Sequence, residues 1–171
     1  MKRYFMFPLL LLLVACGKAP ADGETSSESP LFVAQSYQQQ LHSMMMKVQL
    51  GNAYKSLNGD SEQLAALSLV LLSTNNALFS QCDSYLAPVI ATATQFSGMP
   101  SHEIKHKFLD EGMLPEFDDP LCYHIKELAT HPSYIAALLV EPKTVNYAEI
   151  ALQLRELQEH LLLLYPSLRE K

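Results

Sequence analysis

Apolar residues recur at helical spacing along most of the chain beyond residue 30. Five of them form a first stripe, with successive members three or four positions apart: Val33, Tyr37, Leu41, Met44 and Val48. Residues at this spacing share one face of an α-helix, so the stripe predicts a long amphipathic helix. The helix is predicted to end at Asn58-Gly59, because both residues readily adopt the left-handed backbone that closes helices.

A second helix is predicted to begin at Asp60, whose carboxylate can act as N-cap while Gln63 completes a capping box. Its stripe comprises Leu64, Leu67, Leu71, Leu78, Cys82 and Tyr85. Leu69, Val70 and Leu72 fill the other sides of this helix. It is therefore predicted to be the central helix of the fold, buried nearly all round.

Shorter helices are predicted in the middle of the chain, where Gly and Pro interrupt the pattern. Ser101 is expected to cap a helix that runs to about Glu111. Asp119 and Pro120 have the residue types of an N-cap and a first helical position, and that helix is predicted to end at His131-Pro132. Residues 133–140 are expected to form another short helix.

The last helix has the clearest start signal in the chain. Asn146 and Glu149 form a capping box, and the helix is predicted to run to Pro166. Its apolar stripe is Ile150, Leu154, Leu157, Leu161 and Leu164. Since no segment alternates apolar and polar residues, the predicted fold class is all-α: an irregular helical bundle of about three long and two or three short helices.

The N-terminus has a different pattern. Lys2 and Arg3 precede an apolar run from Tyr4 to Val14, which is too short to span roughly 30 Å of hydrocarbon as a helix. The run therefore predicts a secretion signal, and it ends in Leu13-Val14-Ala15-Cys16.

This N-terminal segment resembles the signal peptide and lipobox of bacterial lipoproteins. The resemblance implies that residues 1–15 are cleaved and that Cys16 carries a thioether-linked diacylglycerol, with an acyl chain such as palmitate on its new amino group. Gly17, in place of the aspartate typical of inner-membrane retention, implies the outer membrane, facing the periplasm. The alternative is an ordinary secreted protein with a cysteine at its cleavage site.

The mature chain is predicted to have two parts. Residues 16–30 carry the lipid and a flexible tether rich in Gly, Pro, Ser and acids, and residues 31–171 form a single helical domain. The chain has a net charge of −6, which becomes −8 when Lys2 and Arg3 are removed with the signal. An acidic domain without basic runs disfavours binding to nucleic acid or anionic headgroups.

Cys82 and Cys122 are the cysteines that remain besides the lipidated Cys16. Because the implied compartment permits oxidation, we predict a disulfide between them. It would close a loop of about forty residues and stabilise the fold by on the order of 4 kcal/mol. The alternative is two free thiols.

The candidate chemistry centres on histidines. His102-Glu103-Ile104-Lys105-His106 has the H-E-x-x-H spacing of zinc metallopeptidases, in which two imidazoles bind zinc and the glutamate activates water. At about 100° per residue, however, both histidines lie opposite the apolar residues Ile104 and Phe108, and lysines adjoin them. We therefore predict a solvated helix face without cofactor or catalysis.

Two further metal sites are weaker alternatives. His124 and His131 lie close to Cys122 in the sequence and could join His102 and His106 in a histidine-rich site. Met44, Met45 and Met46 provide the soft ligands of copper-binding proteins, although Met44 belongs to the core stripe.

Leu161, Leu162, Leu163 and Leu164 give the last helix more apolar surface than one stripe needs. They either pack between two neighbouring helices or form a surface for a partner's amphipathic helix. With the implied anchor, this favours a non-catalytic module that docks or escorts another envelope protein. The alternative is a histidine-dependent metal-binding protein or metallohydrolase.

Overall fold

A computed structural model of the chain describes residues 29–51, 54–74, 79–110, 119–140 and 145–169. The predicted signal peptide, Cys16 and nearly all of the tether lie outside these residues. The helices are α1 (Pro30–Gln49), α2 (Tyr54–Thr74), α3 (Asp83–Thr92), α4 (Ser101–Ile104, extended by a π-turn over Lys105–Leu109), α5 (Pro120–Val140) and α6 (Tyr147–Arg169). Two 3-10 turns, Ser80–Cys82 and Ala93–Gly98, flank α3.

Four long helices form a closed bundle in which α1 packs on α2 and α6, and α5 packs on the same two helices. The first and last helices run in opposite directions: the Tyr165 hydroxyl near the end of α6 lies 3.3 Å from the Ala34 carbonyl near the start of α1. The described residues contain no strand, and the all-α prediction is confirmed. Within the same residues, no helix has both the length and the apolar character required to cross a bilayer.

The connection from α2 to α5 packs on α5, through α3, α4 and the turn between them. Cys82 and Cys122 are joined in a disulfide with their Cα atoms 5.3 Å apart, as predicted, and this bond holds the connection against the start of α5. Every residue from Ile125 to Ile135 is buried as a result. The central helix is therefore α5, and the prediction for α2 was wrong: Leu69 and Val70 are 36% and 38% exposed.

The predicted boundary between the first two helices was also wrong. Gly51 has a φ of 67° just beyond α1, so the left-handed closing residue lies there and Asn58-Gly59 lies inside α2. Asp60 is not an N-cap. Its carboxylate accepts hydrogen bonds from Lys47 at 2.8 and 2.7 Å and from Gln40 at 2.9 Å, which ties α2 to α1.

Pro132 does not end its helix, and α5 continues to Val140. A proline in a helix deprives the carbonyl four residues earlier of its N–H partner, here the carbonyl of Leu128. The Tyr37 hydroxyl on α1 donates to that carbonyl at 3.0 Å. One helix thus replaces the two predicted on either side of Pro132, and the bundle has four long helices among its described residues rather than three.

The other helix starts depend on the residues at their N-caps. Asp119 accepts from the backbone N–H of Leu121 at 2.9 Å, and Asn146 accepts from that of Glu149 at 3.1 Å, so both predicted caps are confirmed. Ser101 is the first residue of α4, and Pro100 occupies the N-cap position. The last helix extends through Pro166 to Arg169, slightly beyond its predicted end.

Candidate functional site

The H-E-x-x-H segment lies on α4 and its π-turn, with both histidines exposed. Ile104 and Phe108 face the core, so the predicted solvated face is confirmed. The Glu103 carboxylate pairs with Lys107, and the hydrogen bond from that ammonium lowers the pKa of Glu103. Lys107 thus holds the glutamate of the motif as an ionised partner on the surface.

A second group of histidines lies between α5 and α6. On α5, three residues face α6 at intervals of three and four positions: His124, Glu127 and His131. His160 approaches them from α6. One potential ligand atom from each of Glu127, His131 and His160 lies within 4.8 Å of the other two.

The contacts within this α5–α6 cluster are short. Glu127 Oε2 lies 2.8 Å from His131 Nε2, and the Nδ1 atoms of His124 and His160 are 2.9 Å apart. Glu156, one turn before His160 on α6, places Oε2 3.8 Å from His131 Nδ1. Carboxylate oxygens and imidazole nitrogens therefore converge from two helices.

Lys126 brings a buried positive charge to the same place. Its side chain has no solvent exposure, its Nζ lies 2.6 Å from Glu127 Oε1, and the Tyr123 ring centroid is 4.7 Å away. A buried ammonium requires such partners because desolvation strongly disfavours an isolated charge. Lys126 and Glu127 can be this deeply buried since the α3–α4 connection covers α5.

Burial sets the protonation of the cluster. Desolvation lowers the pKa of His160 to about 4, and it also lowers the pKa of His124. For Glu127, burial raises the pKa, but the contacts with His131 and Lys126 outweigh burial and the pKa is lowered overall. At neutral pH, His124 and His160 are neutral and Glu127 is ionised, which are the forms that bind metal ions.

The sequence identified only part of this cluster. His124 and His131 were candidates, but they join His160 and Glu127 rather than His102 and His106, which lie apart on α4. The missed residues had a signal: Glu127-x-x-x-His131 and Glu156-x-x-x-His160 repeat one spacing, which places a carboxylate and an imidazole on the same face of each helix. The methionines do not form a comparable group, because Met44 is buried while Met46 is exposed on another side of α1.

The leucines of α6 separate into two faces. Leu161 and Leu164 lie in the core, whereas Leu162 and Leu163 are 54% and 58% exposed. Of the four leucines predicted either to pack between helices or to bind a partner, Leu161 and Leu164 therefore pack inside the bundle, and Leu162 and Leu163 are accessible. Elsewhere, a groove of about 280 Å³ between α2 and α5 is lined largely by alanines, among them Ala65, Ala66, Ala136 and Ala137.

These features provide two kinds of chemistry: a buried set of nitrogen and oxygen donors, and an exposed pair of leucines. Imidazole and carboxylate groups bind divalent ions, and exposed adjacent leucines favour contact with another apolar surface. Comparisons of the chain with protein-family models, with curated proteins and with solved structures found no match in any of the three.

Proposed function

We propose that this protein is a lipid-anchored module at the periplasmic face of the outer membrane, which binds and positions another envelope protein without catalysis. The observation that carries the proposal is the exposed pair Leu162–Leu163 in the middle of a described helix. Burying one leucine side chain stabilises a contact by about 1.5–3 kcal/mol, so the pair is a plausible centre for an interface.

The location of this leucine pair supports docking close to the anchor. The Tyr165 contact with Ala34 places the end of α6 beside the start of α1, where the proposed tether joins the domain. Phe32 is also exposed at this end. A tether of about fourteen residues has a root-mean-square span of roughly 20 Å, so the leucines would stay close to membrane-associated partners.

Charge favours a basic amphipathic helix of a partner protein as the occupant. The mature chain would carry a net charge of −8, and Glu159 precedes the leucine pair by one helical turn. A helix with apolar residues along one side and lysines or arginines beside them complements both features. A bilayer surface with anionic headgroups would instead repel the domain.

The test is affinity purification of the full-length lipidated protein from its native membranes in mild detergent. We expect a stoichiometric envelope partner that is lost when Leu162→Gln and Leu163→Gln are combined, because the substitutions remove the apolar contact. Val70→Gln with Ile90→Gln is the matched control, since these residues are 38% and 47% exposed on other helices. A Cys16→Ser protein shows whether the partner depends on anchoring.

Thermal unfolding of each variant establishes that the fold is retained. The proposal is wrong if the same partner is recovered equally with wild type and the leucine double variant. It is also wrong if the leucine variant loses only its binding to partner-free vesicles of phosphatidylethanolamine and phosphatidylglycerol, since the surface would then contact lipid.

A further inference from the structure

We propose that the α5–α6 cluster binds one divalent transition-metal ion of the zinc class through Glu127, His131 and His160, with His124 in reach as a fourth ligand. This inference goes beyond the docking proposal and does not depend on it. It also differs from a site in the H-E-x-x-H segment, whose histidines are exposed on α4.

The separations of the donor atoms fit a single ion. Zinc lies about 2.0–2.2 Å from its nitrogen and oxygen ligands, so the ligand atoms must lie within about 4 Å of one another. The atoms of Glu127, His131 and His160 already lie within 4.8 Å of one another, before any movement toward an ion. His124 lies outside this three-residue set, but its Nδ1 is 2.9 Å from the Nδ1 of His160, so it is the nearest candidate for a fourth ligand.

Unpaired polar atoms inside the cluster provide a second observation. Among the described residues, five buried side-chain atoms lack a hydrogen-bond partner, and three of them belong to Lys126, Glu127 and His131. Glu127 Oε2 is one of these atoms although His131 Nε2 lies 2.8 Å away, because the contact lacks hydrogen-bond alignment. Because Glu127 Oε2 and His131 Nε2 are close but not aligned for a hydrogen bond, each atom can direct a lone pair at a shared metal ion.

Two charged neighbours, Glu156 and Lys126, affect how the cluster would hold an ion. Histidine ligands are often oriented by a carboxylate on their other nitrogen. Glu156 Oε2 lies 3.8 Å from His131 Nδ1, which has no hydrogen-bond partner, so this contact would have to shorten when Nε2 binds the ion. Lys126 contacts Glu127 through Oε1, at 2.6 Å, which leaves Oε2 for the ion. In the metal-free protein, Lys126 neutralises Glu127, so the fold does not require the ion to offset a lone buried carboxylate.

The donor set selects the class of metal. Imidazole with carboxylate suits Zn²⁺ and neighbouring divalent ions, whereas Ca²⁺ and Mg²⁺ prefer sites built from oxygen alone. Cys82 and Cys122 are held in the disulfide and supply no thiolate. Glu127 and His131 are only 1% and 5% exposed, which suits an ion that holds α5 to α6 rather than one that activates water for a substrate.

The test uses full-length protein in detergent, stripped with EDTA, dialysed and titrated with Zn²⁺ in a calorimeter. We expect one zinc per chain with sub-micromolar affinity, and a melting temperature that rises until one equivalent is bound. His160→Gln should weaken binding by at least about 100-fold, because it removes one ligand. His102→Ala with His106→Ala is the matched control and should bind like wild type.

Circular dichroism shows whether His160→Gln still folds. If it does not, His124→Gln is used instead, because His124 is half-buried and its substitution disturbs the fold less. Its expected effect is a weaker affinity with the same stoichiometry. Co²⁺ in place of Zn²⁺ should give visible absorption bands of a tetrahedral or five-coordinate nitrogen–oxygen site, without sulfur charge-transfer bands. No stoichiometric binding, or binding lost in the His102/His106 control, would overturn the inference.

Discussion

Tyr37 shows how one side chain allows a helix to continue through a proline. Pro132 leaves the Leu128 carbonyl without its helical N–H, and the buried Tyr37 hydroxyl donates to it at 3.0 Å. Tyr37→Phe removes this donor and should cost about 1–3 kcal/mol of unfolding free energy, since a buried acceptor is left unpaired. Urea unfolding followed by circular dichroism measures the cost.

A double-mutant cycle tests the proposed cause. Pro132→Ala restores an N–H for the Leu128 carbonyl, so Tyr37→Phe should be less costly in that background, by about 0.5–1.5 kcal/mol. Equal costs in both backgrounds would show that Tyr37 contributes through its packing and not through this hydrogen bond.

The same tyrosine predicts how stability changes at alkaline pH. Burial raises the pKa of Tyr37 well above its usual value near 10, so the unfolded chain loses the phenolic proton at a lower pH than the folded chain. Its contribution to stability is therefore complete below pH 10 and declines as pH rises further. Urea midpoints from pH 8 to 11 should fall more steeply for wild type than for Tyr37→Phe, and parallel curves would contradict this prediction.

Sequence pattern was sufficient for residues whose role depends on near neighbours. The Asn146 cap and the Asp119 cap need only a backbone N–H two or three residues away, and both were predicted. The Tyr37 bond joins positions separated by 91 residues, and no local pattern indicates such a pair. The proximity of Glu127 and His160 could not be predicted for the same reason: it depends on how α5 and α6 pack, and the two residues are far apart in the sequence.

At the scale of the element, α6 provides a direct comparison of core and surface leucines. Leu161→Ala and Leu164→Ala should each cost about 2–5 kcal/mol, because both side chains are buried and truncation leaves a cavity. Leu162→Ala and Leu163→Ala should each change the unfolding free energy by no more than about 0.5 kcal/mol. Chemical denaturation of the four variants measures the difference, and a large loss at Leu162 or Leu163 would show that they pack inside the fold.

The disulfide fixes the α3–α4 connection on α5. Replacing Cys82 and Cys122 together with alanine should cost about 2–4 kcal/mol, because the unfolded chain gains the freedom of the open loop. Hydrogen exchange of amides in α3 should also accelerate more than exchange in α6, because Cys82 directly precedes α3 whereas neither cysteine belongs to α6. Uniform acceleration across both helices would show instead that the connection unfolds only with the whole bundle.

Helix type was predictable from periodicity, and so were two capped helix starts, whereas the C-terminal ends of the helices and the identity of the central helix were not. The first boundary was placed at Asn58-Gly59 because that dipeptide is a strong local signal, yet Gly51 closes α1. Gly59 is accommodated within α2, where packing on α1 and α5 outweighs its low helix propensity. The position of α5 at the centre depends on the long connection folding back over it, and composition does not encode that path.

At the scale of the whole molecule, the fold separates two surfaces with different proposed roles. The connection covers the outer side of α5 and leaves the inner side against α6, where Glu127 and His131 are buried and His124 and His160 are half-buried. The exposed leucines lie on another side of α6. Loss of one property should therefore leave the other intact, and the Leu162/Leu163 double variant should bind Zn²⁺ with wild-type affinity in the calorimeter.

The proposed anchor predicts a mature protein in which membrane attachment and folding are independent. Intact-mass spectrometry of protein from membranes should give a chain that begins at Cys16 and carries two or three acyl chains, enough for stable attachment. Cys16→Ser should move the protein to the periplasmic fraction. Its melting temperature should equal that of wild type, because α1 begins at Pro30 and its N-cap is Ser29, thirteen residues after the proposed lipidated cysteine. A mature N-terminus at another residue would refute the lipobox, whereas a lower melting temperature would show that the acylated segment packs on the bundle.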